Sequence, residues 1–339
     1  MKIKSFIKDN KKIFVGILIG MLISSGSVYA ASIISKDVSY DNSNSKLTST
    51  NVQGAIDEVY KTATDKIAAA KRECPEGYKC NKIICKRATT LHTEKCSNST
   101  TDAYCQGDGY ALNDTITYGN LGTKGILFSG DAFDCDVNGD GVYNSETERF
   151  YYVSDMTNGV TTDSNTAVLI YYNNVSGGEA SNSIAYAYDT NKDAYTNGPI
   201  TAKGQLPTIS QWKNVSLTNT IRNITDEKGT VRKTGFSYEG YAARLLTVQE
   251  VNAGCGIKAG NETEGELSAK CKYLMENTKY SSDSLNTYGG WLESSNASAY
   301  YFVWTVDAYH RAIYNSSAES DMEYGVRPAI EVLKSNISY

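Results

Sequence analysis

A chain of 339 residues, 40% hydrophobic and 21% charged, carries enough apolar side chains for one large or two modest domains, which excludes a disordered polymer. Its formal net charge of -5, with no basic stripe interleaved with aromatics, gives no general attraction to phosphate backbones, so nucleic acid is not an expected partner.

At the start of the chain, Lys2, Lys4, Lys8, Lys11 and Lys12 precede an apolar run over residues 13–23, and Val28, Tyr29 and Ala30 follow before Ala31. This order of charge, apolar stretch and small residues predicts a secretory signal over residues 1–30. An uncleaved membrane anchor is the alternative, and it would be the one expected contact with a membrane. Residues 31–73 read as a polar, Ser- and Asn-rich tether followed by a helical stalk. Asn51 is placed to cap a helix in which Val52, Ala55, Ile56, Val59, Ala63, Ile67 and Ala70 recur at three- and four-residue steps. Such a stripe on a polar helix needs a partner, either further copies of residues 51–72 or the body of the same chain. Residues 47–60, LTSTNVQGAIDEVY, are similar to short helical segments of trimeric phage tail fibres.

Export changes the meaning of the eight cysteines, because outside a reducing cytosol an even number of thiols points to disulfides. Cys74, Cys80, Cys85, Cys96 and Cys105 crowd into a Cys-rich neck, residues 74–108. Cys135 lies further on, and Cys255 and Cys271 are expected to pair with each other. Local pairing of Cys74 with Cys80 and of Cys96 with Cys105 would leave Cys85 for Cys135, although spacing leaves this connectivity open. No two-residue cysteine spacing occurs and only His92 is near, so zinc is not expected.

Residues 109–339 form the predicted head. Strands are expected at 115–118, 125–128, 150–153 and 167–172, with Gly, Asn and Ser between them. Inserted at 134–148 is the run Asp136-Val137-Asn138-Gly139-Asp140-Gly141-Val142-Tyr143-Asn144, which sets an oxygen at alternate positions and a glycine where a calcium loop must turn. Calcium is a hard cation that takes six to eight oxygens, and such a loop converges them on one point. The expected ligands are Asp136, Asn138, Asp140, the Val142 carbonyl and Asn144. Thr147 stands where a bidentate Glu is usual, so Glu146 or Glu148 must close the shell, and Glu148 is taken. The ion, Ca²⁺, is given a structural role. Helices are expected at 205–212 and 244–251, where Thr208 with Gln211 and Thr247 with Glu250 have capping-box spacing, and Gly256 lies among the residues that stop the second.

The closing segment reads as a β-meander: Trp291 opens it, residues 300–306 alternate, 307–309 turn, 310–314 return, and 325–332 make one closing strand. Pro328 argues for an edge or a bulge there. The helix start at 205–212, a Gly-Trp loop and the terminal GVRPAIEV together resemble C-type-lectin-like domains of the branch that holds formylglycine-generating enzymes and the variable proteins of diversity-generating retroelements. The similarity covers residues 205–332, and residues 109–339 also look like exported proteins of Gram-positive bacteria. It implies an α+β fold, mostly antiparallel strands with two short helices.

The enzyme branch uses a cysteine pair near the closing strands, whereas no cysteine follows Cys271, and His92 and His310 are the only histidines. The chain is therefore expected not to be an enzyme. The binding branch implies a surface on the closing loops and hairpin, where Asn296, Tyr300, Tyr301, Phe302, Tyr309, His310, Tyr314 and Asn315 stand in a frame of Trp291, Trp304 and residues 325–328. Tyr supplies large, rigid contact area while Asn and Ser supply adaptable hydrogen bonds. Glu319, Met322 and Glu323 depart from the usual vocabulary of diversified positions. The expected function is recognition or adhesion of a protein or cell-surface ligand by an exported bacterial protein, with a self-assembling surface or fibre subunit as the alternative.

Overall fold

The computed structural model describes residue 39 and residues 48–59, 82–96, 113–158, 161–176, 179–180, 187–258, 265–276, 289–307, 310–319 and 324–339. The expected signal, most of the stalk, Cys74, Cys80, Cys105 and Tyr309 lie outside these residues. The chain divides into two compact units, Met1–Cys80 and Asn81–Tyr339. In the first, residues 52–59 form helix α1. Asn51 caps it as its spacing predicts, since Asn51 Oδ1 accepts from Gly54 N at 2.8 Å. Ile56 and Val59 are exposed on it. No helix among the described residues is long and apolar enough to cross a membrane.

The second unit is mixed α+β, mostly strands with a few short helices. It begins with β1 (Cys85–Arg87), β2 (Thr93–Lys95) and β3 (Thr115–Thr117), followed by β4 (Ala132–Cys135), β5 (Arg149–Asn158) and β6 (Thr161–Tyr171). Then come β7 (Val175–Ser176), β8 (Glu179–Ala180), the one-turn helices α2 (Ala194–Asn197) and α3 (Ile200–Lys203), β9 (Ile221–Thr225) and β10 (Val231–Ser237). Helices α4 (Val248–Cys255) and α5 (Glu266–Cys271) precede β11 (Gly289–Ser295), β12 (Phe302–Asp307) and β13 (Ala312–Ser317). The chain closes with β14 (Tyr324–Gly325), β15 (Ala329–Leu333) and β16 (Ile337–Ser338).

The larger sheet has the order β15-β6-β5-β4-β1-β16, and β13-β12-β11-β14 make a second sheet. Burial on both faces explains why residues 150–153 of β5 and 167–171 of β6 are continuous apolar runs. Tyr151, Val153, Val168 and Ile170 face one core with Leu246, Val251 and Trp304, while Phe150, Tyr152, Leu169 and Tyr171 face another with Phe133, Trp212 and Ile330. A third core gathers Trp291, Val303 and Tyr324 with Phe236 and Tyr238. Helix α4 carries the capping box expected for Thr247 and Glu250 and ends on a left-handed Gly256. Gly254 must be glycine, because a Cβ there would lie 2.3 Å from the Val153 carbonyl oxygen.

Four sequence expectations are corrected. Residues 125–128 are irregular chain between two turns rather than a strand, since Gly122, Gly125 and Gly130 have φ of 68°, 83° and 91° and Arg87 grips the Gly122 and Thr123 carbonyls. The expected helix at 205–212 is a single turn: Gln211 Oε1 does accept from Thr208 N, but Asn214 N bonds Val137 O and draws the chain away. The single closing strand is two. Strand β14 runs parallel to β11, and β15 then pairs antiparallel with β6 in the larger sheet. Arg327 pins the crossing by donating to the carbonyls of Tyr171, Leu274 and Tyr273, and Pro328, whose missing N–H costs nothing there, accepts from Tyr171 N. Cys85–Arg87, assigned to the neck, belongs to the larger sheet, where β1 lies between β4 and β16.

Candidate functional site

The 136–148 loop is the hairpin connection between β4 and β5, with Asp134 paired to Arg149 at its mouth. Its base is held three ways. Cys135 N bonds Glu148 O, Asp136 N bonds Ile84 O, and Cys135 is disulfide-linked to Cys85 directly opposite it in register. Asp136 is buried, and its carboxylate accepts from Gly139 N at 2.8 Å and Gly141 N at 3.2 Å, which requires the left-handed φ of 80° and 85° at those glycines. Lys82 Nζ is 3.7 Å from the same carboxylate. Asn138 Oδ1 accepts from Asp140 N, Asp140 Oδ1 from Val142 N and Asn144 Oδ1 from Glu146 N.

Glu148 is buried. One of its oxygens accepts from Asn144 N at 3.1 Å, while the other, Oε1, completes no hydrogen bond of regular geometry. Burial, reinforced by the charges of Asp140 and Asp136, outweighs the Asn144 and Asn138 N–H groups near the carboxylate and raises its pKa. Glu146 is exposed. Among the described residues no group of three or more His, Cys, Asp or Glu side chains is already gathered as a metal cage. The expected donors thus share one loop, with Asp136 and Glu148 at its mouth and the Asn138, Asp140 and Asn144 oxygens turned to backbone N–H groups.

The second candidate is the β12–β13 hairpin and the turn before it. Tyr300 and Tyr301 are 53% and 41% exposed and meet at 5.2 Å between ring centroids, with Phe302 a further 4.6 Å from Tyr301. The turn is fastened by Ala194 N to Tyr300 O and Ala318 N to Tyr301 O. Asn296 is buried beneath it and accepts the Tyr195 hydroxyl on its carbonyl at 2.6 Å. Tyr195 and Arg232, which sequence reasoning did not single out, flank this turn, with the guanidinium 4.9 Å above the Tyr195 ring. No periodic signal marks them, because residues 195, 232 and 300 are joined only by the fold.

His310 stacks on Tyr314 at 4.2 Å, and Asn315 is half-buried. These stand apart from the tyrosine pair. The register sets Phe302 opposite Ser317 and Thr305 opposite Tyr314, so alternation puts Phe302 and Tyr314 on opposite faces of the hairpin. The frame residues Trp291 and Trp304 are buried.

His92 is also more engaged than its sequence context suggests. Its Nδ1 is 2.7 Å from Glu276 Oε1 and its Nε2 is 2.7 Å from Ser145 O, while Tyr151 donates to the second Glu276 oxygen. The Cys255–Cys271 and Cys85–Cys135 pairs are those expected, and Cys96 is also bridged. These bonds point to an oxidising, extracytoplasmic compartment. No family model, no curated protein and no solved structure matches the chain.

Proposed function

We propose that this chain is an exported, non-enzymatic recognition protein whose head presents Tyr300, Tyr301 and Phe302 to a protein or cell-surface partner. The observation that carries this reading is an exposed pair of tyrosines on a turn fastened by backbone hydrogen bonds at both carbonyls. A preorganised aromatic pair loses little entropy on contact, and clustered Tyr side chains are the usual hot spots of interfaces. The C-type-lectin-like assignment, and with it diversification of the closing positions, rests on the GVRP segment and the Gly-Trp loop. Its support here is that both segments are built into the interior, with Trp291 buried in β11 and Arg327 buried on the Tyr171, Tyr273 and Leu274 carbonyls. The non-enzymatic reading rests on the histidines: His92 is held by Glu276 and Ser145, and His310 by its stack with Tyr314 and its contact with Asp307 at 3.1 Å.

A peptide-display library selected on the full chain tests the proposal. Enriched peptides should bind the Tyr300→Ser/Tyr301→Ser variant at least tenfold more weakly, as expected when about 2 kcal/mol is lost at a hot spot. Equal binding by a variant with unchanged melting would reject this surface. A self-assembling surface or fibre subunit is the second reading, favoured by the placement of Tyr314 and Phe302 on opposite hairpin faces.

A further inference from the structure

The β4–β5 connection contains an unusual expense. Asp136 and Glu148, at 0% and 4% exposure, are both buried at the mouth of a loop whose intervening residues are mostly exposed. Lys82 Nζ is 3.7 Å from Asp136 and its side chain is 59% exposed, so it screens that carboxylate weakly. Glu148 Oε1 is shut off from water and completes no hydrogen bond of regular geometry, the Asn138 N–H being near the carboxylate without satisfying it, a state that native proteins avoid unless the group serves something else. Hairpin register, independently of any ion, brings these two acids to one place: Cys135 N bonds Glu148 O, so Asp136 and Glu148 flank the same rung.

We infer that the 136–148 hairpin loop binds one hard divalent cation of the calcium type, with Glu148 rather than Glu146 closing its shell. Two observations carry this independently. One is the alternating oxygens of Asp136, Asn138, Asp140 and Asn144 with left-handed Gly139 and Gly141, the backbone that lets such a loop fold inward. The other is the buried oxygen of Glu148 that completes no regular hydrogen bond.

The offset of the closing acid by one residue has a physical cause. In a helix-flanked calcium loop the twelfth position lies on the first turn of the exiting helix. Here a strand leaves the loop, and Glu148 shares the parity of Phe150 and Tyr152, which face the Trp212 side of the sheet. Asn214, two residues from Trp212, donates to the Asp136 carbonyl, and Asn214 N bonds Val137 O on that same side. Glu146 is exposed, and its N–H is bound to Asn144. All the donors are oxygens, with no imidazole or thiolate among them, which selects Ca²⁺ over Zn²⁺. The inference is independent of the aromatic turn and stands or falls separately from it.

Terbium luminescence reads the site directly, because Tyr143 lies within the loop and can sensitise a bound lanthanide. The full chain, stripped with chelator and titrated with Tb³⁺ under tyrosine excitation, should give emission that Ca²⁺ reverses. Glu148→Gln should weaken Tb³⁺ binding by about tenfold or more, and Glu146→Gln should leave it within about twofold. Melting in chelator and in calcium separates ligation from packing. In chelator Glu148→Gln should melt no lower than the wild type, since it removes an unpaired buried charge. In calcium it should melt lower. Absence of calcium-reversible emission, equal weakening by Glu146→Gln, or the same loss of melting temperature in chelator and in calcium would each overturn the inference.

Discussion

His92 is held between two hydrogen-bond acceptors, and this decides its charge. The Ser145 carbonyl can only accept, and Glu276, whose other oxygen already takes the Tyr151 hydroxyl, accepts on Oε1. Only the doubly protonated ring satisfies both contacts. Burial opposes that charge and the nearby Arg149 adds to the opposition, but the hydrogen bond and charge of Glu276 outweigh them, and the His92 pKa is raised. The Tyr172 ring, 5.0 Å away edge-on, is a further titratable neighbour. A raised folded-state pKa fixes the sign of the linkage. The contribution of His92 is fully present below its unfolded value, about 6.5, and is lost as pH rises through the folded value. Melting of the wild type and of His92→Gln should therefore differ most in mild acid and converge on the alkaline side of that window. A gap that stays constant from about pH 5 to pH 9 would show that His92 acts by packing alone.

Among the elements, the buried charges that join α4 to the sheets are the feature least visible in the sequence. Arg244 donates to Glu331 at 2.6 Å and to both oxygens of Glu250, and Arg222 reaches Glu293 at 3.2 Å and Glu331 at 3.4 Å. Glu250 also accepts from Thr247 N at the start of α4 and from Thr157 N on β5. All five side chains are essentially inaccessible, so replacing Glu331 by Gln leaves two guanidinium groups short of a counter-charge in a dry interior. Loss of one partner from such a network costs about 3–5 kcal/mol, and the denaturation midpoint of Glu331→Gln should fall accordingly. A shift worth under about 1 kcal/mol would mean that water reaches the network. Local chemistry was legible in the sequence where it acts within a few residues. The Thr247–Glu250 capping box and the Asn51 cap are examples. The same spacing at Thr208 and Gln211 yields only one turn, because Asn214 is captured by the 136–137 backbone, a contact 77 residues away that no local pattern announces. The division of 325–332 into two strands was hidden for a related reason. Its apolar pattern continues through Val326, Ala329, Ile330 and Val332, while the change of sheet is imposed by carbonyls at 171, 273 and 274 that receive Arg327.

For the whole molecule, the arrangement of the tyrosines bears on whether it recognises others or assembles with itself. The chain has 26 tyrosines, yet Tyr118, Tyr151, Tyr188, Tyr238 and Tyr273 are fully buried, and burial raises the pKa of Tyr151, Tyr188 and Tyr238 well beyond the ordinary range. Tyrosine abundance therefore reflects a core-forming role as much as a contact surface, which composition could not separate. At the hairpin, Phe302 and Asp307 begin and end a strand about 17 Å long, so the Tyr300 turn and the His310–Tyr314 stack form two contact points at opposite ends rather than one patch. A recognition head needs only the exposed end. A subunit that packs with copies of itself would use both, since a contact between two different surfaces propagates from copy to copy. Light scattering on the full chain over a hundredfold range of concentration distinguishes these. If recognition is the role, the mass is set by whatever residues 51–72 do, and it is the same for the wild type, for Tyr300→Ser/Tyr301→Ser and for Tyr314→Ser. If the head self-assembles, the wild type grows with concentration and either substitution halts the growth, because removing one of two heterologous surfaces breaks the chain of contacts. Growth abolished by both substitutions would sink the recognition proposal in favour of assembly, and an invariant mass would leave the exposed tyrosines facing a different molecule.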